Sequence, residues 1–362
     1  MPYPLPDKIH QILTPTGQIV GDIPDISDEQ LIELYRWMVL GRICSDRMVA
    51  LQRQGRLGTL AAINGQEAAS VGLAALLEPE DWLTGSYREI LAYMVKGIPI
   101  STILGYYRGY LHEQAQFPYE TRCLPIQIVL ATQILHATGI AMGIKYESKP
   151  QVVVGVCGDG ATSEGDFNEA LNFAGVYQAP MIFVVQNNGW AISTPRHKQS
   201  NAQYIAHRGP GFGLPSYIVD GNDLLAVYQV MREVIERARS GGGPSLVECL
   251  TYRLAAHTTA DDPTKYQPDE ELQQWLSRDP IPRFRQFLQN RNLLTDEQDQ
   301  QLEADCRAEV QAGVSALNAM PAQPPESIFD LVYETPTPQL QRQKADYLHE
   351  MGGVKNQTWN EV

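Results

Sequence analysis

Two short polar runs interrupt the most apolar part of this sequence: Cys157-Gly158-Asp159-Gly160 and Gln186-Asn187-Asn188-Gly189. Asp159 offers a carboxylate and Asn188 an amide oxygen. Both are hard donors, of the kind a cation such as magnesium takes while it shares a phosphate-bearing ligand. Gly-Asp-Gly alone is an ordinary turn sequence. Its weight here comes from Ala161-Thr162-Ser163-Glu164-Gly165, which leads into a helical pattern whose free N–H groups suit a phosphate. Asn187-Asn188 at the end of a buried strand is costly unless a ligand or a tight turn satisfies the amides.

The elements that must hold these runs are legible from their patterning. Val152 to Cys157 is an almost unbroken β-branched run, as in a buried parallel strand. Asp166 to Gln178 has helical spacing, with Phe167, Ala170, Leu171, Ala174 and Val176 giving it an apolar side; Pro180 closes the turn, and Met181 to Val185 is a second buried strand. A right-handed crossover makes the two strands parallel and sets both polar runs at carboxyl ends, where open α/β sheets bind ligands. Neighbouring strands lie about 4.8 Å apart, within the span of one cation. A nicotinamide site fits less well. Ser163 stands where its third glycine belongs, and Gln186-Asn187 replaces the acid that holds a ribose.

The rest of the chain alternates strand and helix patterns, which defines an α/β fold with a mainly parallel sheet covered by helices on both faces. Residues 1–26 read as an extended N-terminal arm, 27–263 as the α/β domain and 264–362 as a helical C-terminal extension. Ser27 and Gln30 form a capping box that opens a helix. Further helices are expected around Gln66 to Leu77, Ala131 to Tyr146 and Leu224 to Arg239, the last capped by Asn222. Short strands are expected at Leu83 to Tyr87, Tyr217 to Val219 and Leu246 to Arg253. His257 lies in the loop after the last of these, a position that most often holds a merely solvated histidine. His136 reads as a packed helix residue and His197 as an exposed one.

Composition narrows the function classes. A net charge of −14 and the lack of a basic stretch argue against nucleic acid. The N-terminus has no signal-peptide pattern and no apolar run reaches the roughly 18 residues of a membrane span, so a soluble, cytoplasmic protein is expected. The five cysteines are scattered without a CxxC pair, which fits a reducing compartment and neither a zinc nor a disulfide framework.

Gly158-Asp159-Gly160 through Asn187-Asn188 resembles the thiamine diphosphate motif. The segments Asn187 to Pro195, Arg208-Gly209-Pro210-Gly211, Val219 to Asp223, Thr251-Tyr252-Arg253, Leu130 to Ile134 and Tyr87-Arg88-Glu89 together resemble the alpha subunit of 2-oxo acid dehydrogenases, over roughly residues 30 to 340. The branched-chain (2-oxoisovalerate) type is nearest, with the pyruvate type close behind. The resemblance implies a three-layer thiamine diphosphate-binding fold and an EC 1.2.4 activity, oxidative decarboxylation of a 2-oxo acid with acyl transfer to a lipoyl domain.

By position, the resemblance implies that magnesium is held by Asp159, Asn188 and the Trp190 carbonyl. The diphosphate falls to Tyr87, Arg88, Gly160, Ala161 and Arg253, and the aminopyrimidine to the backbones of Ile128 and Leu130. Thr132 and Gln133 match a potassium site of some members. His257 matches the active-site loop histidine, a donor to the reacting centre. The catalytic carboxylate of this family lies on a beta subunit, so an alpha-two beta-two assembly is implied. Two alternatives share the fold, an acetoin dehydrogenase alpha subunit and a non-catalytic subunit. The region from Gly109 to Gln127 departs from the family pattern, and its usual histidine has no counterpart. Thr258 stands where some relatives carry a phosphorylated serine.

Overall fold

The computed structural model describes residues 3–110 and 115–354. Its elements run β1 (Ile9–His10), α1 (Asp28–Arg53), α2 (Glu67–Ala74), β2 (Trp82–Thr84), α3 (Ile90–Val95), α4 (Ile100–Tyr107) and α5 (Thr132–Tyr146). The central unit follows as β3 (Val153–Gly158), α6 (Gly165–Tyr177) and β4 (Met181–Asn187). A hairpin, β5 (Trp190–Ala191) and β6 (Thr194–Pro195), leads to the short helices α7 (Arg196–Gln199) and α8 (Arg208–Gly211). Then come β7 (Ser216–Asp220), α9 (Leu224–Arg239), β8 (Ser245–Leu250), α10 (Asp269–Leu276), α11 (Pro280–Asn290), α12 (Asp296–Ala319), α13 (Ser327–Asp330) and α14 (Pro338–Val354).

Six strands form one parallel sheet in the order β1-β7-β8-β4-β3-β2. Side chains alternate across it with period two. Val154, Val156, Ile182, Val184 and Val247 point into the core under α1, α2 and α9. Val153, Cys157, Met181, Phe183, Val185 and Leu246 point into the smaller core under α5 and α6. The sheet is thus the middle of three layers. Strand β3 pairs directly with β4, Val153 opposite Met181 and Gly158 opposite Gln186, so Asp159 and Asn188 leave the sheet side by side.

The capping box at Ser27 and Gln30 is present. The cap of α9 is instead Asp223, whose Oδ1 accepts the Ala226 N–H; Asn222 turns inward to Thr251 Oγ1 and the Arg278 carbonyl. Two adjacent residues can both cap, and the buried hydroxyl claims the amide. The expected N-terminal arm contributes a sheet strand, β1, and buries Ile12 and Leu13, whose N–H groups both donate to Asp223 Oδ2 at 2.6 Å. Within the atypical region, Cys123 and Gln127 bridge to Leu83 and Ser86 in parallel, so this stretch covers the edge of β2. His112 and Glu113 lie outside the described residues.

Candidate active site

Between β3 and α6 the chain makes a 3-10 turn, Asp159–Ser163, and does not pass straight into the helix. That turn is the wall of a cleft of about 140 Å3 at the carboxyl ends of β3 and β4. Ligand pockets for whole drug-sized molecules run to roughly 300–1,000 Å3. This cleft is sized for a small ionic group. Gly160 permits its shape, because a Cβ there would stand 2.8 Å from the Ala191 Cβ on the overlying hairpin.

Asp159 is 2% exposed and has no salt-bridge partner among the described residues. Its Oδ2 accepts from Gln199 Nε2 at 3.0 Å. Burial raises its carboxyl above the usual range, with the Gln199 hydrogen bond opposing. A buried acid without a cation is under-compensated, and a divalent ion restores the balance. Asn188 stands next to it. Its Oδ1 accepts the Trp190 N–H at 3.2 Å and its Nδ2 donates to Gln66 Oε1 at 3.3 Å. Asn187 is structural, since its amide is spent on Glu248 and on the Gly189 N–H. The described residues hold no cluster of three His, Cys, Asp or Glu, so a metal here depends on one acid plus amide and carbonyl oxygens.

The opposite wall is cationic. Arg88 is buried and donates to the carbonyls of Ala62 and His257. Arg253 is wholly buried and donates to the Ile192 carbonyl at 2.8 Å and to the Tyr266 hydroxyl at 2.6 Å. The Nδ1 of His257 lies 3.3 Å from Arg88 Nη2 and 3.4 Å from Arg253 Nη1. Guanidinium groups only donate, so Nδ1 accepts and the ring proton sits on Nε2. Burial and then the charges of Arg88 and Arg253 lower the His257 pKa to about 4. Asp261 Oδ2 accepts the His257 N–H at 2.7 Å and the Tyr266 hydroxyl proton, which ties the histidine loop to Arg253. Two buried donors lack partners, Gln66 Nε2 in the cleft lining and Arg253 Nε behind His257, and the first suits an anion.

The cleft thus brings together Tyr87, Arg88, Leu130, Gln133, Asp159, Gly160, Ala161, Asn188, Trp190 and His257. Arg253 stands one side chain behind His257. Ile128, two residues before the cleft-lining Leu130, is 59% exposed and does not line the cleft, and Thr132 opens α5 half-buried. His136 is exposed on the outer face of α5, where the sequence pattern led us to expect a packed residue. The alanine- and glycine-rich helix offers two faces of similar polarity, and the histidine takes the outer one. His197 is exposed as expected.

Sequence patterning did not single out Gln66, Gln186, Gln199, Tyr266 or Glu89. For Glu89 a signal existed, a lone acid opening the apolar run Ile90-Leu91-Ala92-Tyr93. A wider groove of about 490 Å3 lies between α1, α11 and α12. Its arginines are largely paired with acids, and none of its polar atoms is buried without a partner. The orphaned Gln66 donor and the unpaired Asp159 belong to the smaller cleft.

Fold and cleft together define a three-layer α/β protein in which a buried acid at the carboxyl ends of the strands shares a cleft with Arg88 and His257. Residues 35–326 match the family model described as "Dehydrogenase E1 component", and the chain belongs to that family. It is 45% identical over 320 residues to the 3-methyl-2-oxobutanoate dehydrogenase subunit alpha of Mycobacterium tuberculosis, covering 88% of this chain and 87% of that one. It is 40% identical over 327 residues to the pyruvate dehydrogenase E1 component subunit alpha of Staphylococcus aureus, covering 90% of this chain and 88% of that one.

Proposed function

We propose that this chain is the alpha subunit of a thiamine diphosphate-dependent 2-oxo acid dehydrogenase that decarboxylates a branched-chain 2-oxo acid or pyruvate and passes the acyl group to a lipoyl domain. The observation that carries this reading is Asp159. It is a buried acid without a cation, set beside Asn188 and facing two arginines and a histidine, in a chain of the E1 family. The higher identity to the 3-methyl-2-oxobutanoate enzyme favours a branched-chain substrate.

Asp159, Asn188 and the Trp190 carbonyl would hold magnesium. Arg88, Tyr87, Arg253 and the N–H groups of Gly160 and Ala161 would hold the diphosphate, with Ile128 and Leu130 against the aminopyrimidine. Potassium would take the buried Gln133 Oε1, which has no donor in the structure, together with Thr132. When bound, thiamine diphosphate supplies the electron sink for decarboxylation. The protein's share is orientation and charge. Arg88 and Arg253 fix the imidazole of His257 and aim its Nε2–H away from them, toward any carbonyl or acyl oxygen in the cleft.

The other carboxyl lining the cleft, Glu89, is engaged by the Ser86 N–H and the Gln186 amide, and Ile128, two residues from the cleft-lining Leu130, is apolar and exposed. Both facts support a beta subunit completing the site in an alpha-two beta-two assembly. Five free, buried cysteines fit a cytoplasmic setting, and no helix among the described residues is long and apolar enough to cross a membrane. The test is reconstitution. The chain with its beta partner should turn over 2-oxoisovalerate or pyruvate, and Asp159→Ala should abolish magnesium-dependent cofactor binding. Turnover by the isolated chain, or unchanged cofactor affinity in Asp159→Ala, would refute the assignment.

A further inference from the structure

The cleft also contains an acid that the proposed function leaves without a role. Glu89 precedes α3 and is 2% exposed. Its Oε2 accepts the Ser86 N–H at 2.6 Å and its Oε1 lies 3.4 Å from Gln186 Nε2. Among the described residues no lysine, arginine or histidine forms an ion pair with it, because Arg88 is turned toward Ala62 and His257. The Oε1 of the same Gln186 amide is buried and reaches no donor. A buried carboxyl without a cation, next to an amide whose oxygen lacks a donor, is best satisfied as a carboxylic acid. The two orientations of an amide have the same shape. Turning the Gln186 amide over sets its oxygen against Glu89.

We propose that Glu89 is a neutral positioning acid. Its hydroxyl donates to the Gln186 amide and its other oxygen holds the Ser86 N–H, so it locks the Ser86-Tyr87-Arg88 turn against β4 without adding negative charge to a polyphosphate site. The proposal rests on the reading of the cleft as a diphosphate site. The groups facing Glu89 are Tyr87 and Arg88 from its own turn, Tyr93 from α3, Tyr107 from α4 and Cys157 from β3. Burial raises the pKa of all the tyrosines and of the cysteine, so they stay neutral, and Arg88 is the charged neighbour. Burial likewise raises the Glu89 carboxyl, opposed by the Ser86 N–H and Arg88. An ionised Glu89 together with Asp159 would cancel Arg88 and Arg253. A neutral Glu89 leaves the cleft net positive before a metal enters.

The full chain is tested with magnesium and inorganic diphosphate by calorimetry at about pH 7. Glu89→Gln, the isostere of a neutral acid, should bind as tightly as wild type, and Glu89→Ala, which frees the Ser86 turn, should bind about tenfold more weakly. Tighter binding by Glu89→Gln than by wild type would show a charged Glu89, and undiminished binding by Glu89→Ala would show no positioning role; either overturns the proposal and leaves the diphosphate site standing. Absence of binding by every protein would overturn the site and the proposal with it. Should Glu89→Gln not fold, infrared spectra of wild type carrying isotope-labelled glutamate give the second readout. A protonated-carboxyl band that shifts when magnesium diphosphate is added supports the assignment, and an invariant spectrum overturns it.

Discussion

The imidazole of His257 sits between two guanidinium groups, which fixes both its tautomer and its charge. Its folded pKa of about 4 lies below the ordinary histidine value of 6.5, so the unfolded chain binds the extra proton first. Stability carried by this group is present above the unfolded value and is lost as pH falls from about 6.5 toward 4. A diphosphate bound near Arg88 and Arg253 opposes the two charges that depress the ring. The His257 pKa should therefore rise on adding magnesium diphosphate, read as a displaced histidine titration by NMR, and no displacement would place the anion elsewhere. Tyr266→Phe tests the same group from behind. It removes the hydroxyl that joins Arg253 to Asp261, at a cost of about 1–3 kcal/mol. Faster amide exchange at His257, whose N–H is held by Asp261, is the expected signature.

The turn after β3 and the pins around β7 show how short segments carry the site. Gly160→Ala would press a methyl to 2.8 Å from Ala191, so the hairpin must move off the cleft; overpacking of this kind costs about 1–3 kcal/mol. Cofactor affinity should fall more than stability does, and equal affinity in the variant would show that the hairpin does not close the site. Asp223 is a cap with three tasks: it opens α9, receives Ile12 and Leu13, and faces Arg283 at 3.4 Å. Arg283 keeps Asp220 as a second partner at 3.0 Å, so Asp223→Ala should cost about 2–4 kcal/mol in urea unfolding, short of a wholly orphaned charge.

These cases mark what could be read in advance. Strands β3 and β4 and helix α6 were legible, because a buried parallel strand and an amphipathic helix each leave a period in the sequence. The juxtaposition of Asp159 and Asn188 followed from their connection. Gln66, Gln199 and Tyr266 were not legible, since they reach the cleft from loops and helix ends whose placement depends on distant packing. Asn222 and Asp223 were ambiguous because adjacent residues have nearly equal capping chemistry.

The molecule divides energetically in a way that the polar composition of its last hundred residues conceals. Helices α11 and α12 belong to the main core: Phe284, Phe287 and Leu288 from the first, Cys306, Val310, Val314 and Leu317 from the second, are buried with residues of α1. Arg42 and Arg285 strengthen that junction through Asp279 and Asp299. Beyond Glu326, where the family match ends, the pattern changes. Ile328, Leu331, Val332, Tyr333 and Leu348 are each at least 40% exposed. Helices α13 and α14 meet each other through the Phe329–Tyr347 ring pair and Lys344–Asp330. We infer a stability boundary at about residue 326, inside the expected extension of 264–362. Side chains left in water contribute little of the roughly 25 cal/mol per Å2 that burial supplies. Truncation after Glu326 should leave the urea midpoint of the isolated chain unchanged, whereas truncation after Arg278, which removes α11 and α12, should leave it unfolded. A loss above about 1 kcal/mol in the longer fragment, by urea denaturation followed by circular dichroism, would show that the terminal pair holds the core.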